Sequence, residues 1–393
     1  MIDVILVALM VGYAISGWRQ GLLVGLMSLG GFVGGAVLAM WLVPRFAERL
    51  EPGPQRAIVV LLGVILIAWL GQFVGAILGS RMRDGVPEGG PATADQFIGA
   101  AAGVVAVALV AWFVAGAVRG GPSPALSRAV ASSHVINGVD RVVPAQVAGV
   151  ADAFRGVVGG TTFPRVFAGV GPERISPIQE PDADVVNTAA VEVAERSIVK
   201  ITGDAPSCGR GQEGSGAVVG FERVVTNAHV VAGVKKPKVQ VGGVGKRYDA
   251  RVVAFDSSRD LAVLAVPDLN STPLPLGGEM ERGDDAIVAG FPHDGPFVAS
   301  AARVRSVLRA SGEDIYGRPG AVREVYSLNA SIEPGNSGGP VLNPAGEVIG
   351  VVFAKSLDDA STGYALTLSE ARPVIQKGMN SEKRVSTGAC AVG

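Results

Sequence analysis

The sequence predicts two unlike halves: an N-terminal all-α membrane domain of four transmembrane helices, then a C-terminal all-β soluble domain. Two observations carry this reading. The first 118 residues hold four apolar runs long enough to cross a bilayer, and the first lysine of the chain is Lys200. From about residue 182 onward, short runs rich in Val and Ile alternate with Gly, Asn, Asp and Pro, the pattern of strands joined by turns. A length of 393 residues accommodates both halves. The formal net charge of −1 gives no overall bias toward nucleic acid, and none is expected as a partner.

The first run, Ile2–Trp18, is the shortest and carries Asp3 near its start. Leu22–Val43, Ala57–Leu78 and Phe97–Val118 follow, each 22 residues long and without a charged side chain. No basic residue precedes Ile2 and three more spans come after it, so the reading is a permanent membrane domain over 1–118, not a cleaved signal peptide. Asp3 is the single charged side chain within the spans, which argues against a transporter or channel. Glycines recur four apart, at Gly21 and Gly25, Gly30 and Gly34, Gly75 and Gly79, and Gly99 and Gly103. That spacing lets helix backbones approach closely, within one bundle or between copies of the chain. Arg19, Arg81 and Arg83 fall on one side of the membrane. Arg45, Arg49, Arg56, Arg119 and Arg128 fall on the side of the soluble domain, so the arginine count leans against its export.

A turn-rich break, "RGGPSPALS", opens a linker over 119–181. Leu126–Phe167 reads as short helices or a tether, and Pro172, Pro177 and Pro181 as an extended stretch. The soluble domain is expected over 182–393. A helix fits Asp184–Glu195. Ten strands are expected: Ser197–Thr202, Gly216–Phe221, Lys238–Val241, Arg251–Phe255, Leu261–Val266, Ala286–Val288, Val298–Val307, Val322–Ser331, Val348–Phe353 and Gly363–Leu368. A final helix fits Ser369–Gly378.

Three motifs carry the chemistry. "TNAHVV" holds His229, one of three histidines in the chain; "DSSRDLAVLAV" holds Asp256 and Asp260; "EPGNSGGPVL" holds Ser337 between Gly335 and the pair Gly338–Gly339. A serine hydroxyl is a poor nucleophile until a base removes its proton, and histidine does this near neutral pH. A buried carboxylate holds the imidazole in the right tautomer and stabilises the imidazolium. The glycines let the backbone turn so that N–H groups converge beside the hydroxyl, where they stabilise an oxyanion. A phosphate-binding loop is excluded: "GGVGKR" has Gln240 where the first glycine is required and Arg247 in place of Ser or Thr.

The chain order His, Asp, Ser is that of the chymotrypsin-like fold. The soluble half resembles trypsin-like serine proteases of the HtrA type, whose hallmark phrases are close to "TNAHVV", "DLAVL" and "GNSGGP". The membrane half, with "GYAISGWRQGLLVGLMSLGGFVGGA", resembles the CvpA (colicin V production) membrane family. The combination is similar to mycobacterial acid-resistance periplasmic serine proteases. The resemblance implies a chymotrypsin-like double β-barrel, with His229 as general base, Asp260 as its orienting carboxylate and Ser337 as nucleophile. Asp256 is the rival carboxylate; Asp260 is preferred because it opens the apolar strand directly. The oxyanion hole is assigned to the loop Gly335, Asn336 and Ser337, with the amides of Gly335 and Ser337 as donors. The base of the substrate pocket falls at Ser331, and its walls at Phe353, Ala354, Lys355, Gly363, Tyr364 and Ala365. An uncharged Ser331 predicts no strong preference for a basic side chain. Only 56 residues follow Ser337, so the C-terminal peptide-binding domain usual in HtrA proteases is not expected.

Cys208 and Cys390 are too far apart for a local metal motif, and no metal or other cofactor is expected. Two free thiols are one reading. The other is a disulfide, which requires an oxidising compartment. Together with the resemblance, it outweighs the arginine count and places the protease domain in the periplasm of a multi-pass membrane protein. The function implied is a membrane-anchored serine endopeptidase acting on envelope proteins by an acyl-enzyme route, in acid or other envelope stress. An imidazole of ordinary acidity is mostly protonated near pH 5, so work at that pH needs tuning or a small neutral fraction. The alternative is an idle membrane scaffold whose protease-like domain binds partners without cutting them.

Overall fold

The computed structural model describes residues 2–47, 54–83, 92–119, 124–143, 165–167, 171–208 and 210–391. Two compact units emerge. The helical unit contains α1 (Ile2–Ala47), α2 (Pro54–Arg83), α3 (Ala92–Arg119), α4 (Pro124–Ala131) and α5 (His134–Asp140). α1 is interrupted at Gly21, with φ 76° and ψ 176°, a conformation open to glycine and to few other residues. The break divides it into the spans Ile2–Gly21 and Leu23–Val43; Leu62–Met82 and Asp95–Gly116 complete four segments of membrane-crossing length. The third lies further along the chain than the expected Ala57–Leu78.

Glycines seat these helices on one another, but not all of those expected. A Cβ at Gly31 would overlap the Gly71 carbonyl, and one at Gly71 would overlap Gly31. Gly75 lies on the Met27 backbone, Gly79 on Val24, Gly99 on Gly17 and Gly21, and Gly103 on Tyr13. Among the described residues, Gly30 and Gly34, predicted at the contact spacing, have nothing within 4 Å of an added Cβ; their neighbours Gly31 and Gly35 make the contact instead. A step of one residue turns a helix by about 100°, so spacing alone does not give the face. Asp3 accepts from Ser133 Oγ at 2.5 Å and from His134 N at 3.1 Å, closing the start of α5. Trp112 Nε1 donates to Asp140 Oδ1 at 2.7 Å.

The linker reading over 119–181 is only partly met by a linker. α4 and α5 occupy its start, and 144–164 lie outside the described residues. Residues 165–167 and 173–181 pack with the β unit. The expected helix Asp184–Glu195 divides into a tight turn at Ala183–Val186 and a helix at Ala189–Glu195, because the Thr188 hydroxyl caps the second by accepting from Val191 N at 3.4 Å.

Thirteen strands follow among the described residues. β1 (Ile198–Ala205), β2 (Arg210–Gly220), β3 (Arg223–Thr226), β4 (Lys238–Val241), β5 (Arg247–Asp249), β6 (Arg251–Asp256) and β7 (Leu261–Ala265) form a sheet in the order β5-β4-β1-β2-β3-β7-β6. β8 (Asp285–Gly290), β9 (Val298–Glu313), β10 (Pro319–Asn329), β11 (Pro340–Leu342), β12 (Val348–Lys355) and β13 (Thr362–Thr367) close into a barrel in the order β10-β13-β12-β11-β8-β9. The ten-strand expectation omitted β3, β5 and β11, each of only three or four residues and too short to show a period. The final helix, Leu368–Met379, is capped by Thr367, which accepts from Glu370 N at 3.3 Å. Val199, Val218, Val224 and Leu264 sit in the core of the first sheet, and Ile287, Val325, Val351 and Leu366 in that of the second. Each such side chain contributes about 1.5–3 kcal/mol when fully buried.

Candidate active site

Asp260 stands at the entry to β7 with φ 58°, a left-handed conformation unusual for a residue other than glycine. It is fully buried. Its Oδ1 accepts from the backbone N of His229 at 2.9 Å, and its Oδ2 lies 2.7 Å from His229 Nδ1. One carboxylate therefore fixes both the chain and the ring of His229. An Nδ1–H donor to Asp260 leaves Nε2 as the acceptor of the neutral ring, and Nε2 is buried without a hydrogen-bond partner among the described residues. Asn227 Nδ2 donates to the Asp260 carbonyl at 2.8 Å, tying the two motifs a second time. Asp256 is occupied elsewhere: it accepts from Ser258 N, Arg259 N and Arg259 Nη1 within its own turn.

The loop that carries Ser337 begins with a tight turn. Asn336 N donates to Glu333 O at 3.0 Å, with Pro334 and Gly335 between them and Gly335 at φ 95°. Proline then glycine is the pairing that a type II turn requires. The Pro334 carbonyl accepts from His293 N at 2.7 Å, and the Gly335 carbonyl from Ser215 Oγ at 2.7 Å. With both carbonyls held, the amides of Gly335 and Ser337 donate to nothing among the described residues. Asn336, placed in the same hole from sequence, has its own amide committed to the turn. Its side chain is committed as well, Oδ1 accepting from Glu333 N at 2.9 Å.

Ser337 is 4% exposed. Its carbonyl accepts from Ser215 N at 2.8 Å on β2, and the space beside Gly338 is filled by Thr226 and Asn227, which lead into the histidine segment. The Ser337 loop of the second sheet thus docks on the motif of the first. No hydrogen bond joins Ser337 Oγ to His229 Nε2 among the described residues; in free enzymes such contacts are commonly long and tighten on substrate.

The pocket residues are placed differently from expectation. Ser331 is exposed, with its hydroxyl 3.3 Å from Glu333 Oε1, and so forms no enclosed base. The next residue, Ile332, is the one turned inward, against Gly363. Phe353, Ala354, Gly363, Tyr364 and Ala365 are buried and Lys355 is exposed. The Phe353 ring lies 5.5 Å from the Arg323 guanidinium, and Tyr364 packs edge-on to Phe167. Neither aromatic side chain is available to a substrate. Burial pushes the Tyr364 phenol well above its ordinary range.

Several residues that position the site went unnoticed in the sequence. Ser215 Oγ donates to Gly335 O while accepting from Phe291 N at 2.9 Å. Arg323 on β10 is almost fully buried, donates to Ser258 O at 2.6 Å and so pins the Asp260 turn to the other sheet. Burial lowers its guanidinium from the ordinary arginine range. Neither residue lies in a motif, and both act across sheets. Cys208 and Cys390 are joined in a disulfide with Cα atoms 5.6 Å apart, closing 182 residues.

Known proteins divide along the same lines. Residues 2–144 match the colicin V production protein family, and residues 214–351 match the trypsin-like peptidase domain. Serine protease Rv3671c of Mycobacterium tuberculosis strain H37Rv is 35% identical over 392 residues, covering 99% of this chain and 98% of the relative. The crystal structure of the M. tuberculosis Rv3671c protease in its active form shares 41% identity at a TM-score of 0.54, covering 58% of this chain and 100% of the other. The mitochondrial serine protease HTRA2 of Bos taurus is 34% identical over 230 residues, 56% of this chain and 48% of that protein. Likeness to Rv3671c runs through both the apolar helices and the β unit, and the chain belongs to the family of multi-pass membrane serine proteases that Rv3671c represents.

Proposed function

We propose that Ser337, His229 and Asp260 run an acyl-enzyme cycle that cuts proteins of the cell envelope, on the side of the membrane away from the cytoplasm. The observation that carries this reading is the hold of Asp260 on His229 through both backbone and ring, with Nε2 left free. In the cycle His229 Nε2 takes the Ser337 proton as Oγ attacks the scissile carbonyl. The unengaged amides of Gly335 and Ser337 receive the oxyanion; losing one such donor costs about 10²–10³ in turnover. His229 then returns the proton to the leaving amine, and water releases the acyl group by the reverse sequence. Asp260 stays ionised throughout and stabilises the imidazolium.

The Cys208–Cys390 bridge supports an oxidising compartment for the protease unit, against the arginine count. A role in acid or other envelope stress rests on likeness to the family alone. Self-association through the glycine-rich helices is supported by the open faces of Gly30 and Gly34. The test is a fluorophosphonate probe on the full-length protein in membranes, with Ser337→Ala beside it. Stoichiometric labelling of Ser337 alone is expected. No labelling under oxidising conditions would return the scaffold reading. Accessibility of single surface cysteines to a membrane-impermeant reagent tests the side of the membrane.

A further inference from the structure

Glu173 lies in the stretch expected to be linker, yet its carboxylate is enclosed by the turn between β12 and β13. Oε2 accepts from the hydroxyls of Ser356 and Tyr364, the latter at 2.8 Å, and Oε1 accepts from Leu357 N at 3.0 Å. Its own backbone N donates to Asp358 Oδ2 at 2.7 Å. The surrounding chain is held too. Phe167 packs on the Tyr364 ring with centroids 5.5 Å apart, and Arg305 Nη1 and Arg282 Nη2 donate to the carbonyls of Ser176 and Pro177. Enclosing a carboxylate is unfavourable unless its lone pairs are met, and here two donors from the turn and the Tyr364 hydroxyl of β13 converge on it.

That turn borders the reactive serine. Val352 on β12 accepts from Gly338 N and donates to Gly339 O, both at 2.9 Å, directly after Ser337. At the far end of the turn, Ser361 O accepts from Ala330 N at 2.9 Å, and Gly363 meets Ile332. The turn is therefore clasped between the strand beside Ser337 and the segment leading to it. Residues 356–362 are thus tied at one end to the strand that holds Gly338 and Gly339 and at the other to the segment that leads to Ser337.

We infer that Glu173 is a positioning residue for substrate binding beside Ser337: it holds the β12–β13 turn and Tyr364 in place from the segment of the β unit that runs ahead of β1. The inference rests on the reading of Ser337 as nucleophile. It explains why a carboxylate is used. Two hydroxyls and an amide all point at one side chain, and only an acceptor-only group meets all three without rearrangement. Glutamine can meet them in part, by turning the Ser356 and Tyr364 hydroxyls to accept from its amide.

The test uses full-length protein and two readouts: the rate of fluorophosphonate labelling at Ser337, and KM, kcat and cleavage-site preference on a peptide library. Glu173→Ala is expected to raise KM by about 10–100-fold and broaden the preference, while labelling and kcat change little. Glu173→Gln is expected to recover much of the loss. Tyr364→Phe removes one donor, keeps the ring in place, and is expected to shift KM the same way by less; it carries the test if Glu173→Ala does not fold. Unchanged KM and preference in Glu173→Ala or Tyr364→Phe would overturn the inference. So would an equal fall in labelling and turnover that tracks a lower melting temperature. Failure of the wild type to label would instead overturn the Ser337 reading, and this inference with it.

Discussion

In the helical unit a side chain at Gly31 would collide with the Gly71 backbone, and one at Gly71 with Gly31; both residues have ordinary helical angles. In the protease unit Gly335 and Gly338 stand at φ 95° and 81°, and there the backbone angle is itself a requirement. The first pair serves contact between helices, the second serves a turn beside Ser337. The difference follows from the solvent. Lipid tails are as apolar as leucine, so helices gain from close backbone contact and not from excluding water. The β unit gains from burying Val, Ile and Leu, and its glycines are free to supply angles that other residues reach only with strain. Changes in the two units should therefore fail in different ways.

The largest effect is expected from Asp260→Asn. It keeps the shape but loses the carboxylate that fixes the His229 tautomer, and kcat should fall by about 10⁴-fold with the fold intact. Peptide hydrolysis alongside near-UV circular dichroism checks both halves of that statement. Gly335→Ala should lower turnover by about 10²–10³-fold, since a Cβ would meet Phe291 O and turn an oxyanion donor away. Retained activity would mean that the amide is not a donor. Cys208→Ser should cost about 2–4 kcal/mol of stability in the protease unit, read from its denaturant midpoint, and leave the helical unit unchanged. Gly31→Leu should do the reverse. About 1–3 kcal/mol of overpacking falls on the helices, seen as a lower thermal transition in detergent, while Ser337 labelling persists. A joint loss of both would break the division.

The smallest effect concerns pH. Burial raises the Glu173 carboxyl above the ordinary range, so the folded state holds its proton more tightly than the unfolded chain. Its contribution to stability is then fully present below about pH 4.3, the ordinary glutamate value, and is lost as pH rises through the raised one. Asp358 faces it with like charge, and Tyr364 and Ser356 with hydroxyls. Glu173→Gln should flatten the slope of melting temperature against pH in that window, and an unchanged slope would assign it to other groups.

Much of this was legible in the chain. Four apolar runs suffice for four spans because crossing a bilayer is a property of length and composition. "TNAHVV", "DLAVL" and "GNSGGP" are short contiguous phrases, so the candidate residues could be named from local patterns. Asp260 could be preferred over Asp256 by its place at the strand start, and in the structure it is Asp260 that meets the imidazole while Asp256 closes its own turn.

The sequence by itself determined the halves, the order of His229, Asp260 and Ser337, and the glycine turn at Gly335, because each is set within a few residues. Tertiary structure alone decided that Gly31 and Gly35 face a helix while Gly30 and Gly34 do not. It alone turned Ser331 outward and Ile332 inward, fixed Ser215 and Arg323 as struts between sheets, and brought Glu173 to a turn 184 residues away at Leu357. Those outcomes depend on which surfaces meet. Helix phase, strand alternation and the pairing of a buried carboxylate with its donors are settled by partners distant in sequence, and no local pattern encodes them.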